Sequence, residues 1–172
     1  MDWKEDYQKK LVSLEEMARQ IRSGDTIGTT MAISECSPDV YDAILDRAGE
    51  LRGVKILSAV PVRPCRLHDP KFMADLDGHI NYLSAFFSPS GRAQGQPNTA
   101  DFLIVMSADI GEKFAKRCDV FATMVTPPNQ KGFVNMGLTN FYTSDAIRKG
   151  RKAGKLRLAI AEVNEQMPVV FG

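Results

Sequence analysis

The sequence predicts an α/β domain built on a mostly parallel sheet with helices on both faces. The first observation is that short apolar or β-branched runs of strand length alternate with segments whose apolar residues recur at helical spacing. The second is that recognisable helix starts and stops separate these segments. The third is that a length of 172 residues and a hydrophobic fraction of 44% suit one domain with a buried core.

The first helix and strand are specified by residues 13–30. Ser13-Leu-Glu-Glu16 is a capping box, because the Ser13 hydroxyl and the Glu16 carboxylate can accept from free amides at a helix start. The β-branched stretch 25–30 predicts a strand that runs into a loop. The buried stripe of the helix and the glycine that ends it are Leu14, Met17, Ala18, Ile21 and Gly24.

A second helix begins at Ser37-Pro38, because proline at the first helical position loses no hydrogen bond. Residues 61–78 show little periodicity, and no element is assigned to them. The buried stripe of the second helix is Val40, Tyr41, Ile44, Leu45 and Ala48. Further strands are predicted over 54–60, 81–87, 102–107, 119–126 and 156–163, and further helices over 109–117 and 144–153.

Charge and composition bear on partners and location. Lysine plus arginine (22) nearly equals aspartate plus glutamate (21), so neither nucleic acid nor an anionic membrane is an expected partner. The charged start lacks an apolar signal core, and no apolar run approaches a membrane span. Three well-separated cysteines, Cys36, Cys65 and Cys118, are expected to be reduced thiols in the cytoplasm.

In such a sheet, ligands bind beyond the carboxyl ends of the strands. The loops there are 28–36, 61–66, 126–137 and 164–171. The loop 28–36 bridges a strand to a helix start but matches no nucleotide-binding motif. The loop Thr126-Pro-Pro-Asn129 to Gly137 is stiffened by its two prolines and is suited either to positioning a substrate or simply to connecting two elements.

Several side chains leave alternatives open. Glu35 could serve as a general base or nucleophile, or could complement the dipole of the helix that follows it. Cys65, His68 and His79 are candidate zinc ligands, but a second paired unit is lacking, so no metal is expected. Phosphate-binding or ordinary surface roles remain open for Arg63, Arg66 and Arg92.

Three segments resemble one known family. They are Glu162-Val-Asn-Glu-Gln-Met-Pro168 with Phe171-Gly172, the loop from Thr126 to Gly137, and Tyr7-Gln-Lys-Lys-Leu-Val-Ser13 followed by Ile21-x-Ser-Gly-Asp25. In order and spacing they resemble the acetyl-CoA hydrolase/transferase family, which includes 4-hydroxybutyrate and butyrate CoA-transferases. Glu165 departs from the pattern, because the family typically has proline there.

The resemblance implies a single N-terminal domain of CoA-transferase type over residues 1–172, with a C-terminal catalytic domain absent from this chain. It implies transfer of CoA between a short-chain acyl-CoA and a carboxylate of the 4-hydroxybutyrate, butyrate or acetate type. The nucleophilic glutamate would lie in the second domain, so no catalytic residue is expected here. Coenzyme A would be a substrate. The second domain and further copies, as a homo-oligomer, would be partners.

Position and resemblance together suggest which residues wall an acyl pocket. An alternative is a stand-alone module that binds acyl-CoA or a carboxylate without catalysis, and CoA binding by this chain alone would favour it. A different enzyme on a related fold, such as a sugar-phosphate isomerase, would need a complete site within the chain. The expected pocket-wall residues are Thr29, Thr30, Met31, Ser34, Pro127, Pro128, Asn129, Asn164 and Gln166.

Overall fold

The computed structural model describes residues 2–86, 88, 92 and 99–170. In this part of the chain one sheet contains six strands: β1 (Thr26–Thr29), β2 (Val54–Ser58), β3 (Ile80–Ser84), β4 (Ala100–Phe102), β5 (Val120–Val125) and β6 (Leu158–Val163). The α-helices are α1 (Trp3–Lys10), α2 (Leu14–Arg19), α3 (Pro38–Leu45), α4 (Pro70–Ala74), α5 (Ile110–Arg117) and α6 (Thr143–Lys152). Short 3-10 turns lie at Ala32–Ser34, Ala48–Glu50, Arg66–His68 and Ser107–Asp109.

The strand order is β4-β3-β2-β1-β5-β6, and every one of these pairings is parallel. The chain leaves β1 toward β2 on one side and later returns to pair β5 on the other. The order therefore reverses between β1 and β5, which makes the carboxyl ends of these two strands a topological switch point.

Helices cover both faces of the sheet, as the sequence predicts. On one face α2, α3 and α4 bury their apolar stripes against Ile27, Ile56 and Tyr82 of the sheet. On the other face α5 and α6 pack around Phe114 and Phe121. Two separate cores result, one on each side of a sheet whose strands β1 and β5 are buried over nearly their whole length.

Gly28, in the central strand β1, allows close packing of α5 on the sheet. A Cβ atom at this position would lie 2.5 Å from Cys118 Sγ and 3.0 Å from a ring carbon of Phe121. Only a residue without a side chain fits there. The close approach places the end of α5 directly over the centre of the sheet.

The signals for helix starts are confirmed. Ser13 Oγ accepts from the Glu16 amide (3.1 Å), and Glu16 Oε2 accepts from the Ser13 amide (2.9 Å). Pro38 is the first residue of α3. These motifs act within four residues of each other, so local sequence is enough to specify them.

The sequence analysis does not predict helices α1 and α4, and the strand that it predicts over 102–107 is wrong over most of its length. Helix α1 buries no residue and so has no apolar stripe to recognise, and α4 is only five residues long. The strand predicted over 102–107 ends at Phe102. Beyond it, Ile104 is 85% exposed and Met106 is 73% exposed, so this apolar run is not part of the sheet. Strand β3 ends at Ser84, and Phe87 lies outside the described residues.

None of the helices in the described part of the chain combines the length and the apolarity needed to cross a membrane.

Replacing Gly28 with alanine should destabilise the fold. The added methyl group would collide with Cys118 and Phe121, and overpacking of this kind costs about 1–3 kcal/mol. Gly49→Ala is the matched control, because a Cβ there would meet no atom within 4 Å. Urea unfolding followed by circular dichroism measures both. Equal free energies of unfolding for the two variants would contradict the packing argument.

Candidate functional site

Buried threonine hydroxyls join the ends of β1 and β5 at the switch point. Thr30 Oγ1 donates to Thr123 Oγ1 (2.7 Å) and shares a second hydrogen bond with Thr143 Oγ1 (2.9 Å). The Tyr142 hydroxyl donates to the Thr29 carbonyl oxygen (2.7 Å). All five residues are buried. The network therefore fixes the start of α6 against both strand ends without using a charge.

Ser34 connects the loop after β1 to the segment that follows β5. Its Oγ accepts from the Thr139 amide (2.8 Å) and lies 3.4 Å from the Met136 carbonyl oxygen. In the same loop, Ala32 has a φ of 56°, a left-handed conformation that side chains seldom adopt. The Ala32 amide also donates to the Val60 carbonyl oxygen (2.9 Å), so the loop after β1 is held on both sides.

The proline loop, residues 126–137, is closed at its base and braced at its tip. The Thr126 amide donates to the Asn135 carbonyl oxygen (2.9 Å), and the Asn135 amide donates to Thr126 Oγ1 (3.0 Å). At the tip, Asn129 Oδ1 accepts from the amides of Lys131 (2.9 Å) and Phe133 (3.1 Å). The side chain of Asn129 thus stabilises its own turn, while Pro127 is exposed.

The segment after β6 folds back onto the proline loop. Met167 is buried, and a Cβ on Gly137 would lie 2.2 Å from its sulfur atom. Gly137 also has a φ of 62°, so this position favours glycine on two grounds. Asn135 Nδ2 donates to the Val170 carbonyl oxygen (2.8 Å). The two segments that are most distinctive in the sequence are therefore in direct contact.

The nine expected pocket-wall residues differ in how far they are buried. Thr29, Thr30 and Ser34 are fully buried, and they lie in the hydrogen-bonded base of the site. Asn164 is half-buried, donates to Met124 Sδ (3.2 Å) and accepts from the Gln166 amide (2.9 Å). The side chains with access to solvent are Met31, Pro127, Pro128, Asn129 and Gln166. The structure brings all nine to one edge of the sheet, and their role as a pocket wall stays a prediction.

Glu35 is a buried carboxylate beneath the loop after β1. It is 3% exposed, and its Oε1 accepts from the hydroxyls of Tyr41 (2.8 Å) and Ser58 (3.0 Å). Burial raises its pKa to about 6, because desolvation outweighs the hydrogen bonds and the nearby Arg63 charge, which favour the ionised form. Its hydrogen bonds tie the loop after β1 to α3 and to the end of β2.

Glu162, rather than Glu35, is the carboxylate that contacts the start of α3. Glu162 Oε2 accepts from the amide of Ser37, the N-cap of α3 (2.7 Å). A carboxylate at this place complements the positive end of the helix dipole. Because Glu162 lies in β6, far along the chain, local sequence gives no sign of this contact.

The candidate metal ligands are not gathered together. Cys65 Sγ lies 3.3 Å from His68 Nδ1, but His79 precedes β3 and its Nδ1 lies 2.6 Å from the Ala48 carbonyl oxygen. No group of three histidine, cysteine or acidic side chains in the described residues could hold a metal ion. Burial raises the pKa of the Cys65 thiol to about 11, so this thiol stays protonated near neutral pH.

The protein partners of Arg66 and Arg63 define the roles of these two candidate arginines. Arg66 forms ion pairs with Asp42 (3.0 Å) and Asp46 (2.7 Å). Arg63 donates to the Ile33 carbonyl oxygen (2.6 Å), which ties the loop after β2 to the loop after β1. These contacts make Arg66 part of the surface of α3 and leave Arg63 at the edge of the site.

Sequence reasoning missed several residues of this site. Thr123, Tyr142, Thr143 and Asn135 hold its base, and Ser58 anchors Glu35. One signal was available, since Thr123 is a hydroxyl residue within the otherwise apolar strand β5, and Ser58 directly follows the apolar residues Ile56 and Leu57 in β2. A buried strand hydroxyl needs a partner, so such positions indicate contacts to neighbouring loops.

Comparison with known proteins gives the chain a consistent set of relatives. Residues 1–172 match the acetyl-CoA hydrolase/transferase N-terminal domain. The 4-hydroxybutyrate coenzyme A transferase of Clostridium kluyveri is 24% identical over 175 residues, which cover 100% of this chain and 38% of that protein. The succinyl-CoA:cyclohexane-1-carboxylate CoA transferase of Geobacter metallireducens is 27% identical over 173 residues, covering 99% of this chain and 37% of that protein. The chain thus spans less than two fifths of these curated relatives.

Solved structures share the fold. The crystal structure of RipA from Yersinia pestis superposes with a TM-score of 0.84 at 24% identity, covering 100% of this chain and 40% of that one. The 4-hydroxybutyrate CoA-transferase from Porphyromonas gingivalis superposes with a TM-score of 0.64 at 19% identity, covering 99% and 37%. At these identities the likeness establishes the architecture of the sheet and its helices.

Titration of Glu35 should make stability fall as pH rises. The folded carboxyl keeps its proton up to a pKa of about 6, whereas the unfolded one releases it near 4.5. Between these values the folded state holds more protons, so its advantage is complete below pH 4.5 and is lost as pH passes 6. The difference corresponds to about 2 kcal/mol.

Urea unfolding of the Glu35→Gln variant across pH 4 to 8 isolates this contribution. Relative to the unchanged chain, the variant should gain about 2 kcal/mol between the two ends of this range, whatever its constant offset. Tyr41→Phe removes a hydrogen bond that favours ionisation, so it should move the fall in stability to higher pH. A stability difference that does not vary with pH would contradict the burial of Glu35.

Proposed function

The chain belongs to the acetyl-CoA hydrolase/transferase family as an N-terminal domain, and from this premise we propose that it is part of a CoA-transferase. The enzyme would move CoA from a short-chain acyl-CoA to a carboxylate of the 4-hydroxybutyrate, butyrate or acetate type. The observation that carries the proposal is the match over residues 1–172 to a family whose named relatives are CoA-transferases.

The proposed chemistry is a ping-pong exchange on a glutamate of a second domain. Its carboxylate attacks the acyl-CoA carbonyl carbon, expels the CoA thiolate and forms a mixed anhydride. The thiolate then attacks the glutamyl carbonyl carbon and releases the first carboxylate, leaving a glutamyl-CoA thioester. The acceptor carboxylate reverses both steps, which regenerates the glutamate and releases the new acyl-CoA. Each intermediate is an activated acyl group, so one difficult exchange becomes several easier ones.

Glu35 is unsuited to that nucleophilic role. Its carboxylate is 3% exposed, and one oxygen already accepts two hydrogen bonds, from Tyr41 and Ser58. A nucleophile has to reach the substrate carbon with a free lone pair. We therefore place no catalytic residue in this chain and assign the nucleophile to the second domain.

In the proposal, this domain supplies one wall of the acyl pocket. The hydrogen-bonded hydroxyls of Thr30 and Ser34 hold the loops in place, and the accessible side chains above them face the substrate. Rigid support of this kind lowers the entropy cost of positioning a substrate. The side chains that would contact the acyl group are Met31, Pro127, Pro128, Asn129 and Gln166.

The remaining parts of the proposal concern partners and location. Coenzyme A is a substrate, no metal takes part, and the second domain completes the site, with further copies in a homo-oligomer. A cytoplasmic location is supported by the three cysteines, none of which forms a disulfide. A stand-alone binding module is the competing interpretation, and CoA binding by residues 1–172 alone distinguishes it.

The decisive experiment expresses the protein from its gene together with any coding sequence after codon 172. Transfer from butyryl-CoA to labelled acetate is assayed for this product and for residues 1–172 alone. We expect transfer only by the longer polypeptide, because the nucleophile lies outside the present chain. Turnover by residues 1–172 alone would overturn the assignment of the nucleophile.

Borohydride treatment tests the intermediate. In the presence of acyl-CoA it should inactivate the longer polypeptide by reducing a glutamyl thioester, and mass spectrometry should locate the modified residue beyond residue 172. The same treatment without acyl-CoA is the control and should leave activity unchanged. Modification of Glu35, or no substrate-dependent inactivation, would contradict the proposal. Calorimetric detection of CoA binding by residues 1–172 would favour the stand-alone module.

A further inference from the structure

Helix α1 lies against the tip of the proline loop, which we define as residues 129–133. A Cβ atom placed on Gly132 would lie 2.9 Å from Trp3 Cβ and 2.8 Å from Trp3 Cγ. Because Trp3 Cβ moves only with the backbone of α1, rotation of the side chain could not relieve such a collision. Trp3 therefore packs directly on the backbone of the loop, at a position that only glycine fits.

The polar contacts of α1 do not attach it to the rest of the fold. Among the described residues, its hydrogen bonds and its ion pair, between Lys10 and Asp6, all join residues of the helix and its caps. None of its residues is fully buried, and the partly buried ones are Trp3, Asp6 and Tyr7. An eight-residue helix is unstable in water by itself, so side-chain packing has to hold α1 in place.

The tip of the proline loop is in the same situation. The Asn129 side chain accepts from the amides of Lys131 and Phe133, and the Gly132 amide donates to the Asn129 carbonyl oxygen (2.9 Å). Within the described part of the chain, the hydrogen bonds of residues 129–133 all stay inside the tip. They fix its shape but not its place on the protein, and Trp3 supplies a contact that fixes its place.

We propose that Trp3 is a positioning residue that holds the tip of the proline loop against α1 and thereby raises the affinity of the site for the acyl group. The effect on the acyl group rests on the proposed function, in which Pro127, Pro128 and Asn129 wall the pocket. Asn129 belongs to the turn that Trp3 supports, so displacement of the tip moves this residue. A wall that is held in place before binding loses less entropy when the substrate arrives.

Hydrogen exchange of residues 1–172 tests the contact without any CoA chemistry. In Trp3→Ala, the amides of Lys131 and Phe133 should exchange at least about tenfold faster, because the tip has lost its support. Amides of β5 should exchange at an unchanged rate, which separates this effect from a loss of global stability. Trp3→Phe retains Cβ and Cγ and should restore slow exchange. Unchanged exchange at the tip in Trp3→Ala would show that Trp3 does not hold the loop.

Fluorescence tests the packing on Gly132, since Trp3 is the single tryptophan of the chain. Gly132→Ala should push the indole into water and shift its emission to longer wavelength. Gly24→Ala is the matched control. Gly24 has a φ of 83°, against 82° for Gly132, but a Cβ there would meet no atom within 4 Å, so the control carries the backbone strain without the collision. The same emission from both variants would overturn the inference.

Kinetics of the longer polypeptide test the effect on the substrate. Trp3→Ala should raise the KM for butyryl-CoA about threefold to tenfold and change kcat less than about twofold, and Trp3→Phe should restore the KM. A purely structural role would reduce the amount of active enzyme, and so the apparent kcat, without changing the KM. An unchanged KM would refute the role of Trp3 in acyl binding. If the longer polypeptide catalyses no transfer, the proposed function fails, whereas exchange and fluorescence still decide whether Trp3 holds the loop.

Discussion

The structure depends on the burial of β1 on both faces and at both edges. This four-residue strand pairs with β2 on one side and β5 on the other, so the two halves of the sheet meet on it. Ile27 points into one core, and Gly28 admits Cys118 and Phe121 from the other. Because β1 is closely packed on all sides, its position is fixed, and so is the start of the loop that follows it.

The segments next to the end of β1 are held in place by hydrogen bonds between neutral groups rather than by ion pairs. The hydroxyls of Thr30, Thr123 and Thr143 and the Oγ of Ser34 join three segments at the switch point. Most ion pairs of the described residues are between partly or largely exposed groups, where each contributes little to stability. Buried hydroxyl pairs are less sensitive to salt, which suits a site where charged carboxylates and CoA are proposed to bind.

Glu35 differs from these neutral hydroxyl groups because its side chain is ionisable. It keeps an ionisable group under the loop after β1, at an energetic cost above pH 6 that the surrounding hydroxyls reduce but do not remove. The benefit is geometric, because one carboxylate oxygen holds both α3, through Tyr41, and the end of β2, through Ser58. Two loops of the candidate pocket are thereby joined beneath the surface.

The sequence by itself determined the fold class, the capping box of α2, the proline start of α3, the approximate strands of the central sheet and, through the resemblance, the family. Helix caps and apolar periods arise between residues a few positions apart, so they can be read locally. It gave no sign of α1, which buries nothing, and it extended a strand through Ile104 and Met106 because their exposure is not a local property.

Only the tertiary structure decided how the site is held together. Thr30 meets Thr123 across 93 positions, Ser34 meets Thr139 across 105, and Glu162 meets Ser37 across 125. It also decided that Glu35 is buried with a pKa of about 6 and that Met167 rests on Gly137. Burial, hydrogen-bond partners and desolvation are set by which distant segments pack together, and a single sequence does not specify those pairings.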